Sequence, residues 1–144
     1  MIEQDTIRLL RECDAGIKMG ISSISDVLDY VHAEAFKTKL TDCKAAHEKL
    51  EREVSQLLNS YQDDGKSPNT MAKAMSFAKT SVKLAMRDSD ATIADLMTDG
   101  CNMGVKSLCK YLNKYNAADE TSKDIAKRLI DLEQRLALDI QQYL

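Results

Sequence analysis

The chain has 144 residues, of which 44% are hydrophobic and 30% are charged, and its formal net charge at pH 7 is −3. This balance is normal for a folded globular protein and excludes a disordered chain, and the length predicts a single domain over residues 1–144. The charge is spread along the sequence instead of forming the basic footprint of a nucleic-acid-binding protein. We therefore expect no nucleic-acid partner.

Signals for export and for membrane insertion are also missing from the sequence. Residues 1–30 lack a basic start followed by an apolar region, and no stretch has the run of apolar residues that a spanning helix needs. The cysteines fall at helical positions without a CxxC pair or zinc spacing, which favours reduced, structural thiols. They are Cys13, Cys43, Cys101 and Cys109. We predict a cytoplasmic protein with no membrane partner.

The first half of the chain predicts a helical hairpin. Over residues 3–32 and again over residues 35–62, apolar side chains recur at alternating steps of three and four, which places them on one stripe of a helix. The only polar member of the first stripe is Asp14, and the only polar member of the second is His47. The connection is so short that the two helices are expected to run antiparallel.

A boundary and a shorter helix are predicted next. Gly65 suits the position just after a helix, and Ser67 with Pro68 suits the start of another. The helix predicted over residues 68–87 has a narrow stripe of small and flexible side chains, so it is amphipathic but only weakly apolar.

Two more long helices are expected in the remainder of the chain, over residues 90–115 and 119–143. The apolar stripe changes phase at a predicted break near Ser89, and Thr121 is a candidate cap for the last helix. The single polar member of the last stripe is Glu133.

An internal repeat relates the two halves of the chain. Residues 16–24 align without gaps to residues 100–108, and with a slightly different offset the second stripe meets the last one, which pairs His47 with Glu133. Helices one and two therefore look like a copy of the two long helices that follow.

Two Gly-x-x-x-Gly pairs form part of this repeat, Gly16 with Gly20 and Gly100 with Gly104. Each glycine costs about 0.5 to 1 kcal/mol relative to alanine inside a helix, so their repetition needs a reason. We expect close approach between helices one and three, with contact to a partner subunit as the alternative.

The predicted fold is all-α, an antiparallel four-helix bundle of two related hairpins with an extra short helix in the central connection. This plan resembles the ferritin-like superfamily. More narrowly, several runs are similar to a group of small bacterial ferritin-like proteins that have no assigned activity. These runs are Met19-Gly20-Ile21, Ile93-Ala94-Asp95-Leu96-Met97, Met103-Gly104-Val105 and the closing stretch from Leu132-Glu133 to Tyr143-Leu144.

Iron-handling members of that superfamily use a Glu from each of two helices and a Glu-x-x-His pair from each of the other two. The resemblance places these pairs at His47 with Leu50 and at Glu133 with Leu136, so both expected histidines are leucine here. At best a degenerate site survives.

Carboxylates on the first and third helices complete this candidate site. Asp14 could supply the one on the first helix, whereas the matching position on the third is Thr98, with Asp99 beside it. The resulting metal-site hypothesis comprises Asp14, His47, Asp99 and Glu133, with iron or another divalent transition metal as ligand. Asp14 and His47 are not expected to touch, because they lie at different levels of the first hairpin.

The alternative for these polar residues is structural. They would lie near the ends or the rim of the bundle, or they would pair with Lys and Arg from neighbouring helices. We favour this alternative, and with it a non-enzymatic bundle without catalytic residues or cofactor, which acts through protein association and forms a homo-oligomer. A third hypothesis is an apolar binding cleft lined by Met97 and Met103.

Overall fold

The structure is a computed structural model that describes residues 2–66 and 89–144, and these residues form four long helices. The helices are α1 (Ile2–Leu28), α2 (Glu34–Ser60), α3 (Asp90–Lys114) and α4 (Glu120–Asp139), followed by a 3-10 turn at Gln141–Tyr143. The predicted all-α class and four-helix bundle are confirmed, and the described residues contain no strand. The short helix predicted over residues 68–87 lies outside the described residues.

Hydrogen bonds at the two ends of the bundle define the direction of each helix. At the start of α3, the Asp90 carboxylate accepts hydrogen bonds from the backbone amides of His32 and Ala33, at 2.8 and 2.9 Å. At the opposite end, Thr6 near the start of α1 accepts a hydrogen bond of 2.8 Å from the backbone amide of Asp119. The α1–α2 turn and the start of α3 therefore share one end, so α2 and α3 run parallel and each hairpin is antiparallel.

The Asp90 contact also explains why α1 is shorter than predicted. The sequence predicts a helix to residue 32, but α1 ends at Leu28. The amides of His32 and Ala33 donate to Asp90 instead of to carbonyls one turn earlier, and so the helix does not continue. Val31 is nevertheless only 3% exposed, because the turn folds it onto the core.

The end of α2 also differs from the prediction. The helix ends at Ser60, and Gln62, with φ 56°, adopts the left-handed conformation that was expected of Gly65. The amide of Asp63 then donates to the carbonyl of Leu58 at 3.0 Å, which closes the last turn. Gly65 has φ 84° but lies farther along the loop.

The fourth helix is capped and terminated at positions other than those predicted. Asp119 is its cap, since the side chain accepts a hydrogen bond of 2.8 Å from the amide of Ser122, and Thr121 has no such role. The helix ends at Asp139 instead of residue 143. The chain then tightens into the 3-10 turn, where the ring of Tyr143 stacks on Phe36 with the centroids 4.5 Å apart.

Helices α1 and α4 form the centre of the packing. Each of them contacts all three other helices, whereas the main contacts of α3 among the described residues are with α1, α4 and the 3-10 turn. Helices α2 and α3 therefore occupy opposite corners of the bundle, with wide faces directed outward. None of the described helices is both long enough and apolar enough to cross a membrane.

The buried apolar side chains form two clusters, one at each end of the bundle. The cluster at the α1–α2 turn contains Ile24, Val27, Val31, Phe36, Leu40, Cys43, Ile93, Ala94, Met97, Cys101, Leu136 and Ile140. The cluster at the α3–α4 turn contains Leu9, Leu10, Cys13, Ile17, Leu50, Val54, Leu58, Leu108, Ala118, Ile125, Ala126 and Leu129. All four helices contribute to both clusters.

Candidate functional site

Between the two apolar clusters, each helix places one residue that belongs to neither. These residues are Gly20 on α1, His47 on α2, Gly104 on α3 and Glu133 on α4, and we call them the polar layer. The layer brings together positions that the internal repeat had aligned in pairs, glycine with glycine and His47 with Glu133. The repeat therefore corresponds to an approximate symmetry of the bundle interior.

The centre of the polar layer is a hydrogen-bonded pair of side chains. His47 Nε2 lies 3.0 Å from Glu133 Oε1, and the His47 side chain is 1% exposed against 13% for Glu133. On the other side of the ring, Nδ1 lies 2.8 Å from the carbonyl oxygen of Cys43, one turn earlier in α2. In its charged form the imidazole donates both hydrogen bonds, so neither ring nitrogen is left unsatisfied.

The environment of His47 favours the charged imidazolium. Burial by itself lowers the pKa of His47, but its hydrogen bonds to Cys43 and Glu133 and the negative charge of the Glu133 carboxylate raise it from 6.5 to about 10. A buried charge is costly unless a partner neutralises it, and the Glu133 carboxylate is that partner. At neutral pH the layer therefore holds a buried ion pair.

Two thiols lie next to this pair, on α2 and α3. Cys43 Sγ is 3.6 Å from His47 Nδ1. Burial raises the pKa of the Cys101 thiol, and the charge of Glu133 and a hydrogen bond to it raise that pKa further. Because the thiolate is the reactive form of cysteine, Cys101 is inert at neutral pH.

Gly20 leaves the space that the His47 ring occupies. A Cβ atom at Gly20 would lie 2.8 Å from both Cδ2 and Nε2 of His47, which is closer than real Cβ contacts allow. A Cβ at Gly104 would meet Glu133 at an ordinary 3.7 Å. Glycine is therefore needed more at Gly20 than at Gly104, because the absence of a Cβ atom at Gly20 leaves room for the His47 ring from α2.

The expectation of close backbone approach at both Gly-x-x-x-Gly pairs is therefore wrong in part. Gly100 faces open space, since a Cβ added there would have no neighbouring atom within 4 Å, and a Cβ at Gly16 would make ordinary contact with Leu129 at 3.7 Å. Neither glycine is needed for helices α1 and α3 to approach each other.

The structure places Asp14 apart from the polar layer, near the end of α2. It is 1% exposed, and its Oδ2 accepts hydrogen bonds from Lys18 Nζ at 2.8 Å and from the amide of Lys66 at 3.3 Å. Oδ1 has no hydrogen-bond partner among the described residues. A Cβ at Gly65 would lie 2.5 Å from Oδ2, so this carboxylate packs directly against the loop backbone.

Asp99, the remaining residue of the metal-site hypothesis, is exposed on the outer face of α3. Of the four hypothesised ligands, the structure thus brings together only His47 and Glu133. Across residues 2–66 and 89–144, no three His, Cys, Asp or Glu side chains are placed to hold a metal ion. Asp14 and Asp99 lie elsewhere because the first turns inward at the level of the α2 end and the second turns outward.

Sequence reasoning did not identify the thiols of Cys43 and Cys101 as neighbours of the polar layer. The available signal was their position, since each precedes a layer residue on its own helix by one turn or less. The third hypothesis, an apolar cleft lined by Met97 and Met103, is not supported by the described residues, because Met97 is buried in a core cluster, 8% exposed, whereas Met103 is 61% exposed.

Comparisons with known proteins give no relative for this chain, since no protein-family model, no curated protein and no solved structure matches it. The polar layer itself offers one imidazole and one carboxylate, already bonded to each other. Chemically it can hold a proton, and it fixes the relative positions of α2 and α4.

Proposed function

We propose that this chain is a non-enzymatic helical bundle that acts by protein association, with a second copy of itself as partner. The observation that carries the proposal is the exposure of Met103 and Leu138, which are 61% and 63% exposed on the two helices of the second hairpin. Large apolar side chains that stay exposed to water are stabilised when a partner covers them, which favours association.

The hydrogen bonds of the interior polar side chains support this proposal. His47 is bonded on both ring nitrogens, and Asp14 is bonded to Lys18 and to the backbone at Lys66. These groups therefore stabilise the interior, and the outer helix faces are the surfaces left for partners. The proposed mode of action involves no nucleic acid, membrane or catalytic residue.

Membership of the ferritin-like superfamily, a bacterial source and a cytoplasmic location belong to the same proposal. The helix directions support the first, since two antiparallel hairpins with α2 parallel to α3 follow that plan. The four cysteines are free thiols, three of them buried, which is the form that a reducing compartment favours.

Self-association is tested by sedimentation velocity of the full chain over a wide concentration series. A reversible shift from monomer to a larger species, with a constant circular dichroism spectrum, is the expected result. A monomer at every concentration would overturn the proposal.

A second candidate is a metal-binding or redox protein, and the contact between His47 Nε2 and Glu133 Oε1 favours it. One imidazole and one carboxylate at 3.0 Å are suitable donors for iron or another divalent transition metal, although two ligands alone bind weakly. Titration with Fe²⁺ and elemental analysis, with Glu133→Ala as the comparison, tests this candidate. Stoichiometric metal that is lost in the variant supports it, and metal-free wild-type protein removes it.

A further inference from the structure

The outer face of α3 carries a regular stripe of exposed side chains. They follow one another at steps of three or four residues, apart from the adjacent pair Asn102 and Met103 at the centre, and are Asp95, Asp99, Asn102, Met103, Lys106 and Lys110. We call this set the α3 stripe. All six side chains are exposed in the single chain, and no other described helix covers the stripe.

Charge is sorted along the α3 stripe. Its acids, Asp95 and Asp99, lie toward the start of the helix, and its bases, Lys106 and Lys110, lie toward the end. None of these four side chains forms an ion pair with another described residue. The helix dipole does not explain this order at Asp99 or Lys106, because its effect is confined to the first and last turns.

Such a stripe is complementary to a second copy of itself that runs in the opposite direction. With a twofold axis between Asn102 and Met103, Asp99 lies level with Lys106 of the second copy, and Asp95 lies level with Lys110. A twofold interface repeats each contact, so both ion pairs occur twice. The two Met103 side chains meet near the axis, where their apolar surface leaves water.

Other arrangements of two copies fit less well. In a parallel arrangement the acids of one stripe would face the acids of the other, and the bases would face the bases, which is unfavourable. The sorted charges therefore select both the partner and its direction.

We propose that two copies of this chain associate through their α3 stripes, antiparallel about a twofold axis at Asn102 and Met103. This inference rests on the proposed self-association and specifies the surface that performs it. Helices α1, α2 and α4 keep their packing, and the second copy covers only side chains that the single chain exposes.

A charge-swap experiment tests this proposal on the full chain. Asp99→Lys places a lysine opposite Lys106 of the second copy, and Lys106→Asp places an acid opposite Asp99. Each change replaces two attractive contacts by two repulsive ones, so each is expected to weaken the dimer by about tenfold or more, measured by sedimentation equilibrium. The double variant restores the pairing in reverse and is expected to return to near the wild-type dissociation constant.

The matched control is Glu48→Lys, which makes the same charge change at an exposed position of α2. It should leave the dimer unchanged, and high salt should weaken the wild-type dimer because exposed charges are screened. A dimer that is equally strong in Asp99→Lys and in the control, or a double variant that fails to recover, would overturn the α3 interface while self-association stands. A wild-type chain that stays monomeric would overturn both proposals.

Discussion

At the scale of single residues, the interior depends on one glycine and one ion pair that fit together. Gly20 lowers helix stability, but a Cβ atom at this position would keep the His47 ring from reaching Glu133. Glu133 in turn neutralises the imidazolium that burial would otherwise disfavour. The polar layer is therefore a set of mutually dependent residues, and changes within it should behave differently from similar changes elsewhere.

The two matched glycine pairs allow a direct test of the role of Gly20. Gly20→Ala would place a methyl group 2.8 Å from the His47 ring, so we expect the free energy of unfolding to fall by about 1 to 3 kcal/mol. Gly100→Ala meets open space and should raise it by about 0.5 to 1 kcal/mol through helix propensity. Urea denaturation at low protein concentration measures both, and equal effects of the two changes would contradict the assigned roles.

The raised pKa of His47 predicts a dependence of stability on pH. Because this pKa rises from 6.5 to about 10 on folding, the stabilisation is complete below pH 6.5, decreases as pH rises, and is lost above about pH 10. The free energy of unfolding should fall by up to about 1.4 kcal/mol per pH unit between pH 6.5 and about 7.5, a range that ends about one unit below the ordinary pKa of an exposed thiol.

The control for this pH dependence is Glu133→Gln, which keeps the shape of the side chain but removes the charge that favours the imidazolium. In this variant the free energy of unfolding should depend much less on pH over the same range. Wild-type stability that stays constant from about pH 6.5 to about 7.5 would show that His47 is neutral in the folded protein, contrary to our assignment.

At the scale of helices, the connections are fixed by side chains that are distant in sequence. Asp90 binds the amides of His32 and Ala33, and Asp14 binds the amide of Lys66. Each contact gives backbone amides in a connection a hydrogen-bond acceptor, and so holds that connection against a helix of the bundle. The junction at Asp90 links the start of α3 to the α1–α2 turn, and so it connects the two hairpins at that end of the bundle.

Asp90→Ala should therefore destabilise the bundle more than a typical surface change. The change removes the two carboxylate oxygens that accept hydrogen bonds from the amides of His32 and Ala33. We expect a loss of about 1.5 to 3 kcal/mol in the free energy of unfolding. Asp42→Ala, at an exposed position of α2, is the control and should change it by less than about 0.5 kcal/mol. If Asp90→Ala is as mild as the control, the junction does not hold the hairpins together.

Much of the fold, but less of the site, could be predicted from the sequence. The apolar stripes defined four helices, because their spacing depends only on local geometry. They did not reveal that Asp90 would end α1, since its partners lie 57 and 58 residues away. His47 and Glu133 were recognised as polar interruptions, and the repeat aligned them, but their contact depends on how α2 and α4 are rotated against each other. Local spacing carries no information on that rotation.

At the scale of the whole molecule, the bundle consists of two apolar clusters joined by the polar layer. The layer lies where each helix passes from one cluster to the other, so a correct contact between His47 and Glu133 requires every helix to have its observed register. Buried polar pairs can specify a unique arrangement in this way, and we infer that this pair does so here. The central claim is therefore an energetic coupling between these two residues.

A double-mutant cycle of His47→Leu and Glu133→Leu, measured by urea denaturation at neutral pH, tests this claim most directly. Each single change leaves one buried polar group without its partner and should cost about 3 kcal/mol, whereas the double change should cost far less than the sum, giving a coupling energy of about 2 kcal/mol or more. If the double change costs the sum of the two single changes to within about 0.5 kcal/mol, the claimed coupling is contradicted.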